Sequence, residues 1–159
     1  MASRLRKAGI GLTAAGGLAI ALVGGGEGLK LYSYRDVIGV WTACYGETRG
    51  IKPGMRFSKA QCDTMLIDGL EDFEAGMRAC LTRPDAIPEE PYVAFLSLAY
   101  NVGTGTFCRS SVAKKANAGD LRGACDALML YVNAGGRRIQ GLVNRRTAER
   151  KLCLEGVRR

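Results

Sequence analysis

The chain has 159 residues, the length of one ordinary domain, and its 23 Lys and Arg against 15 Asp and Glu give a formal net charge of +8. Basic charge favours anionic partners such as nucleic acid, anionic lipid or an acidic cell wall. Aromatic residues are only 7% of the chain and no Lys/Arg run resembles a nucleic-acid-binding arm, so we expect no nucleic-acid partner. The sequence contains no His, which excludes His-dependent nucleophiles and His-ligated metals. We therefore expect no metal and no cofactor.

Residues 8–26 carry no charge and are about long enough to span a bilayer as a helix. Arg4, Arg6 and Lys7 precede them, which predicts a membrane anchor whose N-terminus stays in the cytoplasm. The strongly apolar residues of the segment are few: Ile10, Leu12, Leu18, Ile20, Leu22 and Val23. Its many glycines weaken a helix, so we expect insertion to be marginal and escape from the bilayer to be feasible.

Two other interpretations of this segment remain open. Ala19-Ile20-Ala21 has the small-x-small form of a signal-peptide cleavage site, although much of the apolar run lies at or beyond it. Small residues also allow close helix packing, so the segment equally suits a buried N-terminal helix of a soluble protein.

Candidate catalytic residues follow directly in the stretch 27–46. We predict that Gly24, Gly25 and Gly26 break the helical run just before Glu27. Alternation of apolar and polar residues then predicts short antiparallel strands, with Asp36 near a turn. Such a sheet could bring Asp36 and Thr42 opposite Glu27.

Two carboxyl groups and a hydroxyl suit glycoside hydrolysis. One protonated carboxyl donates to the leaving oxygen while an ionised carboxylate acts across the bond, so their environments must differ. Glu27 lies between apolar and glycine residues, whereas Asp36 follows Arg35 in a polar segment. Thr42 could hold the attacking water. These residue types recur by chance in many sequences, so their spacing alone is a weak signal.

The wider pattern resembles the phage lysozymes of glycoside hydrolase family 24. The first matching motif is Glu27-x8-Asp36-x5-Thr42. The second is Tyr100-Asn101-Val102-Gly103-x-Gly105-x-Phe107, similar to the family's F-N-x-G-x-G-x-F. The third is Gly141-Leu142-x-x-Arg145-Arg146-x-x-Glu149-Arg150, similar to its G-L-x-x-R-R-x-x-E. The weakly apolar N-terminus resembles the signal-anchor-release segment of a subset of these endolysins.

The resemblance implies a mostly helical α+β, lysozyme-like fold of two lobes. A small β-hairpin lobe would be joined by a long helix to a helical C-terminal lobe, with residues 1–26 as the signal-anchor helix and 27–159 as the catalytic domain. The expected activity is hydrolysis of the β-1,4 bond between N-acetylmuramic acid and N-acetylglucosamine in peptidoglycan.

The resemblance also implies residue roles. Glu27 would be the general acid, Asp36 the second carboxylate and Thr42 the water-positioning hydroxyl. Asn101 would contribute to the cleft, and Arg145 or its neighbour Arg146 would face Glu27. We add Arg137 as a cation that could meet the carboxylates of peptide-bearing muramic acid. One departure stands out: Gly46-Glu47-Thr48 occupies the place where the family often has Gly-His-Thr.

Six cysteines are present, none in a C-x-x-C pair, and an even number behind an export signal favours disulfides. Scattered core cysteines of a cytosolic protein are the alternative, and many pairings are possible. The expected topology packs the hairpin on the start of the long helix and the end of that helix near the second lobe. On this basis we predict Cys44–Cys62, Cys80–Cys108 and Cys125–Cys153.

Helix signals after the hairpin are local. Ser58 with Gln61 forms a capping box for a helix ending near Ala79, and Asp120 is an N-cap for a helix running to about Tyr131. An apolar central helix should cover Tyr92 to Asn101, and the final helix should run from Leu142 to about Glu155.

The leading hypothesis is therefore a monomeric, membrane-tethered endolysin that faces the periplasm from the host inner membrane and is then released. Its activity would be withheld while residues 8–26 span the bilayer. A lytic transglycosylase on the same glycan and a non-enzymatic anchored wall-binding protein are the alternatives.

Overall fold

The N-terminal part of the chain is a short hairpin followed by a helical run. The computed structural model describes residues 3–9 and 11–158, so Met1, Ala2 and Ile10 of the predicted anchor lie outside the described residues. Strand β1 (Arg6–Lys7) pairs antiparallel with β2 (Gly11–Leu12). Helix α1 (Ala14–Ala19), a π-helical turn (Ile20–Gly24) and α2 (Gly25–Glu27) then follow without interruption. Thr13 caps the run because its side-chain oxygen accepts from Gly16 N at 3.1 Å.

A β-hairpin and a long helix form the next part of the chain. Strands β3 (Lys30–Arg35) and β4 (Trp41–Cys44) pair antiparallel, with Tyr34 opposite Thr42. Helix α3 (Lys59–Cys80) starts at the predicted capping box, in which Ser58 and Gln61 each accept from the other's backbone N–H. The predicted small sheet and long connecting helix are confirmed.

The C-terminal lobe is helical. After a 3₁₀ turn (Pro84–Ala86), its elements are α4 (Glu89–Val102), α5 (Thr104–Cys108), α6 (Ser111–Asn117) and α7 (Leu121–Ala127), then a 3₁₀ turn (Leu128–Leu130) and α8 (Gln140–Val157). A small hairpin of β5 (Asn133–Ala134) and β6 (Arg137–Arg138) precedes α8. Helix α4 is central, since its side chains from Glu90 to Ala99 are buried. Asp120 caps α7 as predicted, but the α-helix ends at Ala127 and not near Tyr131.

The prediction that Gly24 to Gly26 break the helix before Glu27 is wrong. All three lie inside the helical run, which ends only at Gly28, whose φ of +78° favours glycine. The physical reason is packing, which overrides the low helix propensity of glycine. Helix α1 packs against α4 with Ala15 and Ala19 buried, and Gly24 lies so close to the Tyr45 ring that a built Cβ would be 2.8 Å from Cε1.

The N-terminal run thus packs as part of the folded body of the protein. Of the helices formed by residues 3–9 and 11–158, none combines the length and apolarity that crossing a membrane requires. The basic flank that precedes the run also docks on the body. Arg4 N donates to Glu74 Oε2 at 2.9 Å, and the Arg4 guanidinium lies 4.2 Å from the centre of the Tyr92 ring. Arg6 forms ion pairs with Asp68 and Glu71 of α3.

Three disulfides link the elements in the predicted pairs, Cys44–Cys62, Cys80–Cys108 and Cys125–Cys153. The first joins the end of β4 to the start of α3. The second joins the end of α3 to α5, and the third joins α7 to α8. Each closes a loop in the unfolded chain and so contributes about 2–4 kcal/mol to stability.

Candidate active site

Glu27 is the last residue of α2 and forms an ion pair with Arg145 of α8. The two side chains are about equally accessible, at 28% and 24% exposure, so the pair lies at a surface that solvent and a ligand can reach. Of the two arginines that the sequence offered as partners for Glu27, the structure brings Arg145 into contact.

Two glycines leave room beside this pair. A Cβ built on Gly26 would lie 3.3 Å from Arg145 Nε, and one built on Gly46 would lie 3.8 Å from Glu27 Oε2. Gly46 also has a φ of +87°, within the tight turn that follows β4. The end of the hairpin therefore adjoins the Glu27 carboxylate, and the small residues keep that carboxylate open.

Asp36 shapes the turn between β3 and β4. Its Oδ1 accepts from the backbone N–H groups of Ile38 at 3.0 Å and Val40 at 2.9 Å. Its backbone N–H donates to Val40 O at 2.9 Å, which closes the hairpin. Within the described part of the chain, Oδ2 of Asp36 makes no hydrogen bond. One carboxylate oxygen thus fixes the turn while the other remains available to a ligand.

Thr42 lies on β4 opposite Tyr34, and it is only 4% exposed. Its hydroxyl donates to Val40 O at 3.0 Å, which fixes the orientation of the side chain. Because the proton is used in that bond, the Oγ1 lone pairs are free to accept from a water molecule. Asp36 and Thr42 therefore belong to one rigid hairpin.

Arg146 points into the core of the C-terminal lobe and is fully buried. Its Nη1 donates to Asn101 Oδ1 at 3.0 Å and its Nη2 to Glu149 Oε1 at 2.8 Å, and Ser97 Oγ also donates to Glu149 at 2.8 Å. Burial raises the pKa of Glu149, and Arg146 opposes that shift. Arg146 thus fixes the orientation of the Asn101 side chain from the core of the lobe. The expected place of Asn101 in the cleft stays a prediction.

Arg137 lies on β6, and its side chain is exposed. The β5–β6 hairpin that carries it leads into α8, the helix of Arg145. Among the described residues, the Arg137 side chain makes no hydrogen bond or ion pair with the groups around Arg145 and Arg146, and its expected contact with substrate carboxylates stays a prediction.

Two cavities of about 460 and 650 Å³ share one lining residue, Tyr100. The first lies between the turn after β4 and helix α3, and Glu47, Arg49, Asp72 and Phe73 are among its lining residues. The second lies between the N-terminal helical run and α8, and Gly26, Leu142 and Arg145 are among its lining residues. Gly46 lines the first cavity and Arg145 lines the second, so both cavities adjoin the Glu27–Arg145 pair, and we refer to the two together as the cleft.

Glu47 and Arg49 form a second carboxylate–arginine pair in this cleft. Glu47 Oε1 accepts from Arg49 N at 2.8 Å and from Thr48 N at 3.0 Å, and it lies 3.3 Å from Arg49 Nε. These bonds lower the pKa of Glu47 although burial acts in the opposite direction.

Sequence reasoning gave no role to Tyr100, Glu47 or Arg49. Two signals were present: Glu47 stands where the resembled family often has His, and Tyr100 stands where its motif has Phe.

Comparison with known proteins supports the resemblance. The phage lysozyme family matches residues 25–149. A SAR-endolysin of Enterobacteria phage P21 is 39% identical over 165 aligned residues, which cover 98% of this chain and 99% of that protein. The crystal structure of the active form of the P1 phage endolysin Lyz superposes with a TM-score of 0.77 at 29% identity, covering 91% of this chain and 85% of that one.

The secreted inactive form of the same P1 endolysin fits less well. It has a TM-score of 0.53 at 27% identity and covers 69% of this chain and 76% of that one. The lysozyme-like fold, the family match over most of the chain and the relative that aligns over its full length agree with one another. The chain belongs to the phage lysozyme family, and it is a lysozyme.

Proposed function

We propose that this lysozyme hydrolyses the β-1,4 bond between N-acetylmuramic acid and N-acetylglucosamine in peptidoglycan, acting as a monomer. The observation that carries the proposal is the contact of Glu27 with Arg145 beside the hairpin of Asp36 and Thr42. It joins two of the resembled motifs, far apart in sequence, at one point of an open cleft.

In this mechanism the protonated form of Glu27 reacts, with Oε1 still accepting from Arg145 and the proton on Oε2. Glu27 donates that proton to the glycosidic oxygen of the leaving sugar, and the bond from that oxygen to C1 breaks. The free oxygen of Asp36 faces the positive charge that develops on the sugar ring. Thr42 accepts a hydrogen bond from the water that adds to C1. This water keeps one proton in the new hydroxyl and gives the other to Asp36, and exchange with solvent returns a proton to Glu27. Arg145 holds the Glu27 carboxyl in place, Arg146 holds Asn101, and Arg137 contacts carboxylates of the peptide-bearing muramic acid.

Product analysis of digested peptidoglycan tests this reaction. The wild type should release reducing ends, and Glu27→Gln, which keeps the shape but not the proton, should reduce the rate by at least about 100-fold. Anhydro products from the wild type would instead indicate a lytic transglycosylase. Full lysis by Glu27→Gln would indicate a non-enzymatic wall-binding protein.

We further propose that the chain is tethered to the host inner membrane by residues 8–26 and then released to the periplasm, and that the tether withholds activity. Glu27 belongs to the same helical run as the tether, and here that run packs on α4. A run that spans a bilayer cannot make this packing, so Glu27 would not meet Arg145. The better fit to the active than to the inactive form of the P1 endolysin supports this assignment of the present fold.

A more hydrophobic tether tests the regulation. Ala14 and Gly17 are exposed in this fold, and a Cβ on Gly17 meets nothing within 4 Å. Ala14→Leu with Gly17→Leu should therefore hold the enzyme in the membrane without disturbing the released form. We expect the cells not to lyse, while the detergent-extracted variant should be as active as the wild type. Lysis by the membrane-held variant would refute the regulation but not the hydrolase.

A further inference from the structure

The hydroxyl of Tyr100 is an unused hydrogen-bond donor at the junction of the two cavities. Tyr100 lines both cavities, and its ring packs edge-on against Phe73 with ring centroids 5.1 Å apart. Among residues 3–9 and 11–158, no group forms a hydrogen bond with the Tyr100 hydroxyl. The ring is therefore held by packing while its polar end is left open to the cleft.

The surroundings of Tyr100 are two carboxylate–arginine pairs. Burial raises its pKa, and Glu27 and Glu47 raise it further, while Arg145 and Arg49 act in the opposite direction. The phenol therefore keeps its proton at the pH of the cell and is available as a neutral donor.

We propose that Tyr100 is a substrate-binding residue whose hydroxyl donates a hydrogen bond to an acetamido carbonyl of the glycan. This inference rests on the proposed hydrolysis of peptidoglycan. A glycan strand that occupies both cavities must pass Tyr100, and the acetamido carbonyl is a neutral acceptor that recurs on every sugar of the strand. A phenylalanine at this position would fill the same space without that bond.

Binding to an inactive enzyme tests the proposal without catalysis. In the Glu27→Gln background, Tyr100→Phe should weaken binding of a peptide-free oligosaccharide of alternating N-acetylglucosamine and N-acetylmuramic acid by about 5- to 10-fold, the effect expected of one lost hydrogen bond. In the active enzyme, Tyr100→Phe should lower kcat/KM by a similar factor and leave the pH limits of activity unchanged. An oligosaccharide with hydroxyls in place of its acetamido groups should bind both proteins equally.

Tyr131→Phe is the matched control. It removes a phenol hydroxyl that accepts from Ser111 N at 3.0 Å in the same lobe, outside both cavities. We expect it to lower thermal stability slightly and to leave binding unchanged. The proposal would be overturned if Glu27→Gln bound the oligosaccharide equally well with and without Tyr100→Phe. It would also be overturned if Tyr100→Phe shifted a pH limit of activity without weakening binding, because Tyr100 would then act through Glu27. A Glu27→Gln enzyme that binds no glycan, beside a wild type that releases no reducing ends, would instead overturn the proposed function.

Discussion

Adjacent arginines of one motif have opposite environments in this lysozyme. Arg145 is partly exposed and faces Glu27 in the cleft, whereas Arg146 is fully buried between Asn101 and Glu149. Successive residues on a helix point about 100° apart, so α8 can present one arginine to the substrate and the other to the core. Loss of the buried arginine should therefore mainly reduce stability, and loss of the partly exposed one should mainly reduce activity.

We predict that Arg146→Met destabilises the fold by about 3–5 kcal/mol, because it leaves Glu149 buried without its partner. Arg145→Met should cost less than about 1 kcal/mol of stability but reduce kcat/KM by about 10- to 100-fold, since Glu27 loses the contact that holds it. Urea unfolding and turnover of soluble peptidoglycan on the same preparations measure both effects. Equal losses of stability in the two variants would contradict this division.

Glu47 should make the stability of the enzyme depend on pH. The folded state lowers the pKa of Glu47 below 4.5, its ordinary value, by way of Arg49 and two backbone N–H groups. A lowered carboxyl pKa contributes stability above the unfolded-state value, and this contribution is lost as the pH falls through the folded-state value. We predict that Glu47→Gln costs about 1 kcal/mol at pH 7 and that the difference shrinks below pH 4.5. Unfolding curves of the wild type and Glu47→Gln at pH 7 and pH 3 measure this difference in stability. A difference that is the same at both pH values would contradict the lowered pKa of Glu47.

At the scale of elements, the proposed tether and release would require the helical run 14–27 to suit two environments. Its small residues let it approach α4 and Tyr45 closely in this fold, and the same residues would make it a weak membrane span. The glycines are not equivalent, however. A Cβ built on Gly16 would lie 2.2 Å from the carbonyl oxygen of Leu5, whereas one on Gly17 meets nothing within 4 Å.

This contrast predicts that the same Gly→Ala substitution changes stability in opposite directions at the two positions. Gly17→Ala should stabilise the released enzyme by up to about 1 kcal/mol through helix propensity. Gly16→Ala should destabilise it by about 2 kcal/mol or more, since the backbone of Leu5 must move. Both add one methyl group to the membrane segment, so their effect on insertion should be equal. Thermal unfolding of the released proteins and the membrane-bound fraction in cells separate the two roles, and similar stability changes would contradict the packing argument.

Across the whole molecule, predictions based on neighbouring residues succeeded where a local signal was strong. The Ser58 and Gln61 capping box followed from side-chain chemistry, whereas the cysteine pairs followed from the two-lobed topology that the resemblance implied. The helical conformation of Gly24 to Gly26 could not be predicted, because the run packs against α4 and the Tyr45 ring, which are distant in sequence. The choice between Arg145 and Arg146, and the place of Tyr100 between two cavities, likewise depend on how separate helices meet.

The basic N-terminal flank likewise makes its contacts with residues that are distant in sequence. Glu74 is 1% exposed, and its Oε2 accepts from Arg4 N and from the Tyr92 hydroxyl. Glu71, one turn earlier on α3, is partly exposed and pairs with Arg6. In this fold the flank thus joins the start of the chain to the long helix, and Glu74 accepts the hydrogen bond from the Arg4 backbone amide.

We predict that Glu74→Ala costs about 2 kcal/mol, because the buried Tyr92 hydroxyl and the partly buried Arg4 amide lose their acceptor. Glu71→Ala should cost less than about 1 kcal/mol, although it removes the same charge from the same helix. Neither changes the N-terminal charges that would direct the proposed insertion, so membrane targeting should be unaltered. Hydrogen exchange on the released enzyme measures the docking directly, since the Arg4 amide should exchange much faster in Glu74→Ala and as slowly as in the wild type in Glu71→Ala. Fast exchange of that amide in the wild type would mean that the flank is not fastened to α3.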